Sequence, residues 1–328
     1  MEKAKVLAAY NLLKAKFFGK RIPLVVGWSL TNRCNWKCAY CVRWIQNSEE
    51  LTTKQIFSII DQLSKMGTYS INLTGGEPLL RDDIGKIASY AKSKGIRVGI
   101  SSNGTLIPKR IYSIRNIDSL SLSYDGPQEV HDKQRQKGSY LHVLRAIKVA
   151  KENNIYVKLH TVLTSYNIDY IDFILDFARK FDAVVNFTII EFIPFSIEEN
   201  IKTFLPSKEK YKPAIHSLII KKREGNKNIG NSLSGLKYLY QWPNYRKINC
   251  CAGKIYCRIE PNGDIFPCGN LILNSKPLNC LSQGFKDAFM NLRLDGCRSC
   301  WCDTRIEMNY IYSLNLKAIL NTKGTHHL

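Results

Sequence analysis

The sequence predicts an α/β fold built on a parallel sheet, and three observations support this prediction. Six short β-rich segments alternate with segments of helical periodicity between residues 24 and 190. Such alternation is typical of strand–helix–strand units with right-handed crossovers, which make neighbouring strands parallel. Polar or glycine-bearing loops follow the first five segments, at the sheet edge where such folds place their chemistry. The pattern does not decide between an open sheet and part of a barrel.

The elements follow one another in a regular order. The predicted strands are LVVGWSL, SINLT, RVGIS, SLSLS, YVKLHTVL and AVVNFTII. Helices are predicted between them near residues 52–66, 81–94, 108–115, 139–153 and 168–181. The loops after the first five strands are TNRC, TGGEP, SSNGT, SYDG and TSYN. If the strands are parallel, these five loops lie along one edge and form a single cleft.

The chain is strongly basic. Its 328 residues include 48 Lys and Arg against 27 Asp and Glu, a formal net charge of +21. This charge suits an anionic partner, such as a nucleic acid, a lipid headgroup, a phosphorylated metabolite or an acidic peptide. A surface coated with solvated lysines explains the composition equally well. No apolar run reaches transmembrane length and no signal peptide is recognised, so a cytoplasmic location is expected.

A helix is predicted near the start of the chain, over residues 3–21. Its larger apolar side chains share one face, and five lysines lie elsewhere on the segment. That face consists of Val6, Leu7, Tyr10, Leu13 and Phe17. It is expected to pack against its own domain. The alternative is a basic amphipathic helix that makes a peripheral contact with an anionic membrane.

The eleven cysteines are grouped, which in a reducing compartment indicates metal binding rather than disulfides. The segment CNWKCAYC places Cys34, Cys38 and Cys41 on one short loop at C-x3-C-x2-C spacing. Three thiolates this close can each bind a different iron of one cubane cluster and leave the fourth iron without a protein ligand. A zinc ion is the alternative, but it needs a fourth ligand.

The cysteine loop after the first strand and GGEP after the second together resemble the radical S-adenosylmethionine (radical SAM) enzymes. The resemblance covers residues 24 to about 191 and implies the family's partial (β/α)6 TIM-like barrel. It also implies that Cys34, Cys38 and Cys41 hold a [4Fe-4S] cluster. The amino and carboxylate groups of S-adenosylmethionine would then chelate the open iron.

The same resemblance assigns residues to S-adenosylmethionine binding. Tyr40 matches an aromatic position near the adenine, and Arg135 resembles an arginine that pairs with the methionine carboxylate in some members. The GGEP backbone would approach the ammonium group, and polar side chains at strand ends would contact the ribose. These further residues are Gly75, Gly76, Glu77, Pro78, Ser101, Ser102, Asn103, Ser123 and Asp125. The alternatives are an ordinary turn, helix caps and a surface arginine.

A second cysteine-rich region, CAGKIYCRIEPNGDIFPC followed by CRSCWC, is similar to auxiliary-cluster domains of the SPASM or twitch type. EPNGD is predicted to form a hairpin turn between two β-like runs. The similarity implies that one further [4Fe-4S] cluster is held by Cys251, Cys268, Cys297 and Cys300. Cys257 or Cys302 could replace one of the four, Cys250 is a candidate spare thiol, and structural zinc is the alternative.

These features divide the chain into four predicted regions. The strand–helix alternation stops after Pro194, and a charged, helical bridge is expected there. The regions are a basic amphipathic helix (1–21), a radical SAM partial barrel (22–194), a helical bridge (195–249) and a SPASM/twitch-like auxiliary-cluster domain with a C-terminal helix (250–328).

The resemblance implies an enzyme that cleaves S-adenosylmethionine reductively to a 5′-deoxyadenosyl radical, which abstracts hydrogen from a peptide or small-molecule substrate. The basic charge would suit an anionic substrate. The auxiliary cluster would serve an oxidation or a peptide or metabolite modification, and a flavodoxin or ferredoxin would supply electrons. The ending GTHHL lacks the double glycine of molybdenum-cofactor cyclases, so that cyclisation is not expected.

No catalytic residue can be assigned from the sequence. The candidates for acid or base are His131, His160, Asp169 and Glu191. The rival function is a non-catalytic, basic zinc protein that contacts nucleic acid. GGEP and the other strand-end loops would have no role in that protein, so nucleic acid is not the expected partner.

Overall fold

The computed structural model describes residues 2–190, 198–246, 248–272, 275–294, 297, 300 and 302–321. Within these residues one nine-stranded sheet has the order β6-β5-β4-β3-β2-β1-β7-β8-β9. Its strands are β1 (Val25–Thr31), β2 (Ser70–Gly75), β3 (Arg97–Ser102), β4 (Ser119–Ser123), β5 (Val157–Leu163), β6 (Val184–Ile189), β7 (Tyr256–Ile259), β8 (Asp264–Phe266) and β9 (Leu278–Asn279).

The first six strands are parallel and neighbours in chain order, with helices on the connections. This arrangement confirms the predicted α/β class and partial barrel. The helices are α1 (Glu2–Phe17), α2 (Thr53–Lys65), α3 (Ile84–Ser93), α4 (Ile107–Ile114), α5 (Gln128–Gln134), α6 (Ser139–Glu152), α7 (Ile171–Lys180), α8 (Glu198–Phe204), α9 (Lys208–Arg223), α10 (Leu233–Leu239), α11 (Phe285–Met290), α12 (Asp303–Tyr312) and α13 (Leu316–Leu320).

The two faces of the sheet differ in polarity because side chains alternate along each strand. Ile100 and Leu120 are fully buried in the main core, as are their equivalents on the other strands. The alternate positions Ser101, Ser119 and Ser121 are half-buried and occupy the opposite, interior face. On β3 and β4 the interior of the partial barrel is therefore lined by small polar side chains.

The cysteine-rich C-terminal region continues the sheet of the barrel. Strand β7 pairs in parallel with β1, so that Val25 lies opposite Tyr256 and Trp28 opposite Ile259. Strands β8 and β9 then add in antiparallel fashion, and the predicted hairpin turn joins β7 to β8. Because β1 has a neighbour on each edge, all seven of its residues are buried. A buried ion pair between Arg43 Nη1 and Glu260 Oε2, 2.8 Å apart, also links the segment after β1 to this region.

Between β6 and β7 the chain contains helices α8, α9 and α10. The loop before α10 lies along the outer edge of β6, where the Val185 amide donates to Asn228 O at 2.7 Å and the Gly230 amide donates to Val185 O at 2.8 Å. The Asn231 side chain adds a pair of hydrogen bonds with the Phe187 backbone. This segment therefore protects an edge strand that would otherwise expose unpaired backbone groups. The predicted boundary at residue 194 lies outside the described residues.

Helix α1 is present, but the prediction of which face packs is wrong. The buried positions are Ala8, Asn11, Leu12 and Ala15. The predicted apolar face is exposed to solvent, including Val6, Leu7, Tyr10, Leu13 and Phe17. Alanines allow the helix backbone to come close to its neighbours, and Leu12 completes a small core with residues of β7, α12 and α13. Within the described part of the chain, every helix is too short or too polar to cross a bilayer.

Candidate active site

The loop after β1 carries Cys34, Cys38 and Cys41. It is folded around the buried Trp36, whose backbone amide lies 3.4 Å from Cys34 Sγ. The Cys41 amide donates to Cys38 O at 3.1 Å. Burial raises the pKa of the Cys34 thiol to about 12. Burial also raises the pKa of Cys38, and the neighbouring Arg135 guanidinium opposes that effect. Both cysteines are partly buried, and their burial disfavours the thiolate unless a cation is close by.

The GGEP loop after β2 contacts the cysteine loop through the backbone. The Gly76 amide donates to Thr31 O and the Glu77 amide to Arg33 O, both at 2.8 Å. A Cβ atom at Gly75 would lie 2.2 Å from Thr31 O, and one at Gly76 would lie 2.2 Å from Arg33 O. Gly75 also has a φ of 140°, which side chains disfavour. Both glycines are thus required for the close approach of the two loops, whereas their predicted approach to a ligand ammonium stays a prediction.

Glu77 is hydrogen-bonded to the turn that follows it and to the end of β3. Its carboxylate is fully buried and accepts hydrogen bonds from Leu79 N at 3.1 Å, Ser102 Oγ at 2.9 Å and Asn103 N at 2.8 Å. Burial raises the pKa of Glu77 to about 7, although these three donors oppose the shift. Asn103 Nδ2 in turn donates to Asn35 Oδ1 at 2.8 Å. The network therefore ties the end of β3 to the cysteine loop.

The predicted ribose contacts are divided between two faces of the sheet. Ser101 and Ser123 belong to the polar interior face, and Ser101 Oγ accepts from Asn72 Nδ2 at 3.0 Å. Ser102 points the other way and its hydroxyl is engaged with Glu77. Pro78 is buried at the start of a short 3₁₀ turn. The ribose roles stay predictions, and the hydrogen bond with Glu77 accounts for the orientation of the Ser102 hydroxyl.

A buried ion pair lies beside the cysteine loop. Arg135 Nε donates to Asp125 Oδ2 at 2.6 Å, and Asp125 Oδ1 accepts from Val162 N at 3.1 Å. The Arg135 guanidinium lies 5.2 Å from the centre of the Tyr40 ring. Its Nη2 atom is buried and has no hydrogen-bond partner. A buried guanidinium nitrogen that has no hydrogen-bond partner, next to Cys38, fits an anionic group such as the carboxylate of an amino-acid ligand.

The second cysteine group lines one pocket. Its lining contains Cys250, Cys251, Cys268, Cys297 and Cys300. All four predicted auxiliary ligands therefore line the same pocket. Cys250, the candidate spare thiol, lines the same cavity.

The two candidate substitutes occupy different surroundings. Cys257 is fully buried in the main core, where its thiol faces Cys280, and it is absent from the cavity lining. Burial raises the pKa of Cys302 to about 11, and the neighbouring Arg305 opposes this shift. Cys302 is also absent from the lining, but it is close enough to Cys268 and Cys300 to interact with them electrostatically. Cys250 and Cys302 are therefore nearer to the proposed ligands than Cys257 is.

Sequence reasoning missed Arg305, whose side chain lines this cavity. Its Nη2 donates to Asn270 Oδ1 at 3.2 Å, while its Nε is buried without a partner. The positive charge lies close to Cys268, Cys300 and Cys302. An iron–sulfur cluster with four thiolates carries net negative charge, so a buried guanidinium fits this donor set. No sequence motif identifies Arg305. It comes close to the thiols only because α12 begins directly after Cys302.

In the part of the chain that the structure describes, no three His, Cys, Asp or Glu side chains converge on a point that could hold one metal ion. A structural zinc site requires four such donors around a single ion. A cubane does not, because each thiolate binds a different corner iron. A cubane therefore accommodates thiolates that lie further apart than the ligands of a single zinc ion.

A second feature missed by sequence reasoning lies in the barrel interior. His160 Nε2 is 3.2 Å from Asp303 Oδ1, and the Asp303 side chain is 1% exposed. Burial disfavours the charged imidazole, but Asp303 raises the pKa of His160 above its ordinary value. Lys158 occupies the same face of β5, and burial lowers its pKa to about 8 against the influence of Asp303. The sequence shows that Lys158 and His160 lie two residues apart on one strand and so share a face. It does not show that Asp303 of α12 packs beside them.

The other acid–base candidates differ in setting. His131 is buried among aromatic rings, its Nδ1 accepts from Asp125 N at 3.1 Å, and burial lowers its pKa to about 4. Asp169 is paired at the surface with Lys210 at 2.5 Å. Glu191 lies outside the described residues. His160 is consequently the candidate that combines a carboxylate partner with a position in the barrel.

These features place a three-cysteine loop at the end of the first strand of a partial α/β barrel. Residues 28–178 match the model of the Radical SAM superfamily. The chain therefore contains a radical SAM domain.

Two curated relatives extend the comparison. The chain is 36% identical over 172 residues to the Fe-coproporphyrin III synthase of Methanosarcina barkeri, covering 50% of this chain and 43% of that protein. It is 28% identical over 260 residues to the mycofactocin maturase MftC of Mycolicibacterium smegmatis, covering 76% of this chain and 65% of that protein. The chain thus spans less than two thirds of the length of either relative.

Solved structures share the fold. Streptococcus suis SuiB bound to S-adenosylmethionine superposes with a TM-score of 0.68 at 18% identity, covering 86% of this chain and 69% of that one. Native anSMEcpe with bound AdoMet superposes with a TM-score of 0.65 at 15% identity, covering 91% of this chain and 99% of that one. The likeness extends beyond the barrel into the cysteine-rich region, and at such identities it concerns the fold alone.

Proposed function

We propose that this chain is a radical SAM enzyme that cleaves S-adenosylmethionine reductively and abstracts hydrogen from a peptide or small-molecule substrate. The observation that carries the proposal is the three-cysteine loop with the unpaired Arg135 Nη2 at its side. When bound, the [4Fe-4S] cluster and S-adenosylmethionine supply one-electron cleavage of the sulfonium, which gives a 5′-deoxyadenosyl radical. The residues of the chain then bind, orient and shield these groups.

Each part of the site has a separate task in this proposal. Cys34, Cys38 and Cys41 hold the cluster, and Arg135 pairs with the ligand carboxylate while Asp125 keeps the guanidinium in place. The buried Tyr40 lies beside the same guanidinium. The Glu77 network fixes the loops around this position, so the ligand meets a preorganised surface.

The auxiliary cavity is proposed to hold a second [4Fe-4S] cluster. Cys251, Cys268, Cys297 and Cys300 are its proposed ligands, with Cys250 at the same cavity. An electron left on the substrate after hydrogen abstraction needs an acceptor if the net reaction is an oxidation. Asp303 directly follows Cys302 in the chain, and its contact with His160 suits this pair to receive a proton from the same substrate.

The substrate is proposed to be anionic, and an acidic peptide is the favoured form. The net charge of +21 would attract it. One relative is a mycofactocin maturase, and a structure of similar fold is SuiB bound to the precursor peptide SuiA. A flavodoxin or ferredoxin is the proposed reductant. The division of the chain into residues 1–21, 22–194, 195–249 and 250–328 is also proposed. The protein is proposed to act in the reducing cytoplasm.

The test is anaerobic turnover of the reconstituted full chain. We expect brown protein with about eight irons, four for each cluster, and release of 5′-deoxyadenosine under reductant. With a deuterated candidate peptide, deuterium should appear in the 5′-deoxyadenosine. Colourless protein that holds zinc and binds nucleic acid in a salt-dependent way would instead support the rival function.

Substitution Arg305→Gln is expected to make the auxiliary cluster harder to reduce. A buried positive charge stabilises the more negative, reduced state, so its loss should lower the reduction potential by roughly 50–100 mV. Potentiometric titration followed by electron paramagnetic resonance would measure the shift. Arg305→Lys keeps the charge and serves as the matched control, which should stay close to wild type. Equal potentials in all three proteins would contradict the proposed role of the charge.

A further inference from the structure

Helix α1 exposes large apolar side chains that a helix normally buries. The exposed fractions are 69% for Val6, 52% for Tyr10 and 66% for Phe17, and Phe18 just beyond the helix reaches 75%. Together with Leu7 and Leu13 these side chains form the apolar face of α1. Val6, Tyr10, Leu13 and Phe17 follow one another at spacings of four, three and four, so they form one stripe along the helix.

The stripe faces solvent because the opposite side of α1 packs against the rest of the protein. Leu12 and Ala15, on the other side of α1, share a small core with Ile255 of the cysteine-rich region and Met308 of α12. The Tyr312 hydroxyl lies 3.5 Å from Ala15 O. The helix is therefore docked by its opposite side, and the apolar face of α1 is a fixed surface feature.

Basic residues border the apolar face. Between residues 3 and 21 the segment has six Lys and Arg and no Asp or Glu. Lys14 Nζ lies 4.3 Å from the centre of the exposed Tyr10 ring, and Lys16 Nζ lies 5.0 Å from the Tyr312 ring. Long lysine stems that run along apolar surface and end in a charge are typical of helices at a lipid interface.

We propose that the apolar face of α1 docks on an anionic lipid surface, with the helix parallel to the membrane plane. The apolar side chains would enter the headgroup region, and the bordering lysines would meet lipid phosphates. A second copy of this chain is the weaker occupant, because pairing would bring the same lysines together on two molecules of charge +21. This proposal is independent of the reaction proposed above.

The test is flotation of the full-length, anaerobically prepared protein with vesicles. Phosphatidylcholine vesicles containing phosphatidylglycerol should retain the protein, and pure phosphatidylcholine should retain about tenfold less. The double variant Leu13→Gln with Phe17→Gln should bind the anionic vesicles about tenfold more weakly. The matched control is Tyr112→Gln with Leu141→Gln, two exposed apolar residues on other helices, and it should bind as wild type does.

Charge is tested by a second pair of variants. Replacement of Lys5, Lys14 and Lys16 by Gln should weaken retention on anionic vesicles, while the same change at Lys54, Lys109 and Lys148 should have a smaller effect. Circular dichroism would verify that each variant is folded. No retention on anionic vesicles, or equal retention of wild type and the Leu13/Phe17 variant, overturns the proposal. A dimer in light scattering that disappears in that variant overturns it in favour of self-association.

Discussion

Cys38→Ser is expected to abolish reductive cleavage of S-adenosylmethionine and to remove about four irons per chain. Cys38 lies in the middle of the cysteine loop, where burial and the Arg135 guanidinium act on its sulfur in opposite directions. Loss of one of three thiolates leaves two protein ligands, too few to keep a cubane in place. Formation of 5′-deoxyadenosine should fall by about three orders of magnitude or more, to background. Iron analysis and chromatography of the products would measure both effects.

The matched control for this prediction is Cys280→Ser. Cys280 is another buried thiol, but it lies in the main core beside Cys257 and outside both cysteine groups of the site. It should retain its full iron content and the cleavage activity. If Cys38→Ser still cleaves S-adenosylmethionine at the rate of the control, the cysteine loop does not hold the reactive cluster.

The same variant separates the two proposed clusters. Cys251, Cys268, Cys297 and Cys300 line a cavity in a different part of the structure, so their cluster should survive the loss of Cys38. The paramagnetic signal of the reduced Cys38→Ser protein should then be unaffected by added S-adenosylmethionine. A response to S-adenosylmethionine in this variant would place the open iron at the second site instead.

Local patterns in the sequence predicted most of the barrel. The alternation of apolar residues in SLSLS and RVGIS predicted strands, and the structure has β4 and β3 at these positions. Helix α5 (Gln128–Gln134) was missed because QEVHDKQ is polar and lacks helical periodicity of apolar residues. The cysteine loop and GGEP were recognised from short motifs, and the structure brings both to the carboxyl ends of β1 and β2.

Features that depend on distant parts of the chain could not be predicted. The pairing of β1 with β7 joins segments more than 200 residues apart, and neither strand's composition specifies its partner. The proximity of Arg305 to the thiols and the contact of Asp303 with His160 likewise depend on where α12 packs. The prediction of which side of α1 is buried was wrong for a different reason. Both of its sides carry apolar residues, and periodicity alone cannot tell which side is covered.

Gly76→Ala is expected to reduce cleavage of S-adenosylmethionine about a hundredfold even though no proposed metal ligand is altered. The added Cβ would lie 2.2 Å from Arg33 O and 2.5 Å from Asn32 O, and backbone atoms cannot move aside as a flexible side chain can. The two loops must separate, which breaks the hydrogen bonds from Gly76 N to Thr31 O and from Glu77 N to Arg33 O. Such a clash costs on the order of 1–3 kcal/mol of folding free energy.

Gly95→Ala provides the matched control, because Gly95 has a φ of +79° but nothing within 4 Å of an added Cβ. Its strain should cost about 1 kcal/mol without displacing the site. We therefore expect both variants to lower the midpoint of thermal unfolding, while only Gly76→Ala loses activity and weakens S-adenosylmethionine binding in equilibrium dialysis. If the two variants retained equal activity, the contact between the GGEP loop and the cysteine loop would be a matter of stability alone. Loss of activity in Gly76→Ala alone would instead show that the contact between the GGEP loop and the cysteine loop positions S-adenosylmethionine for cleavage.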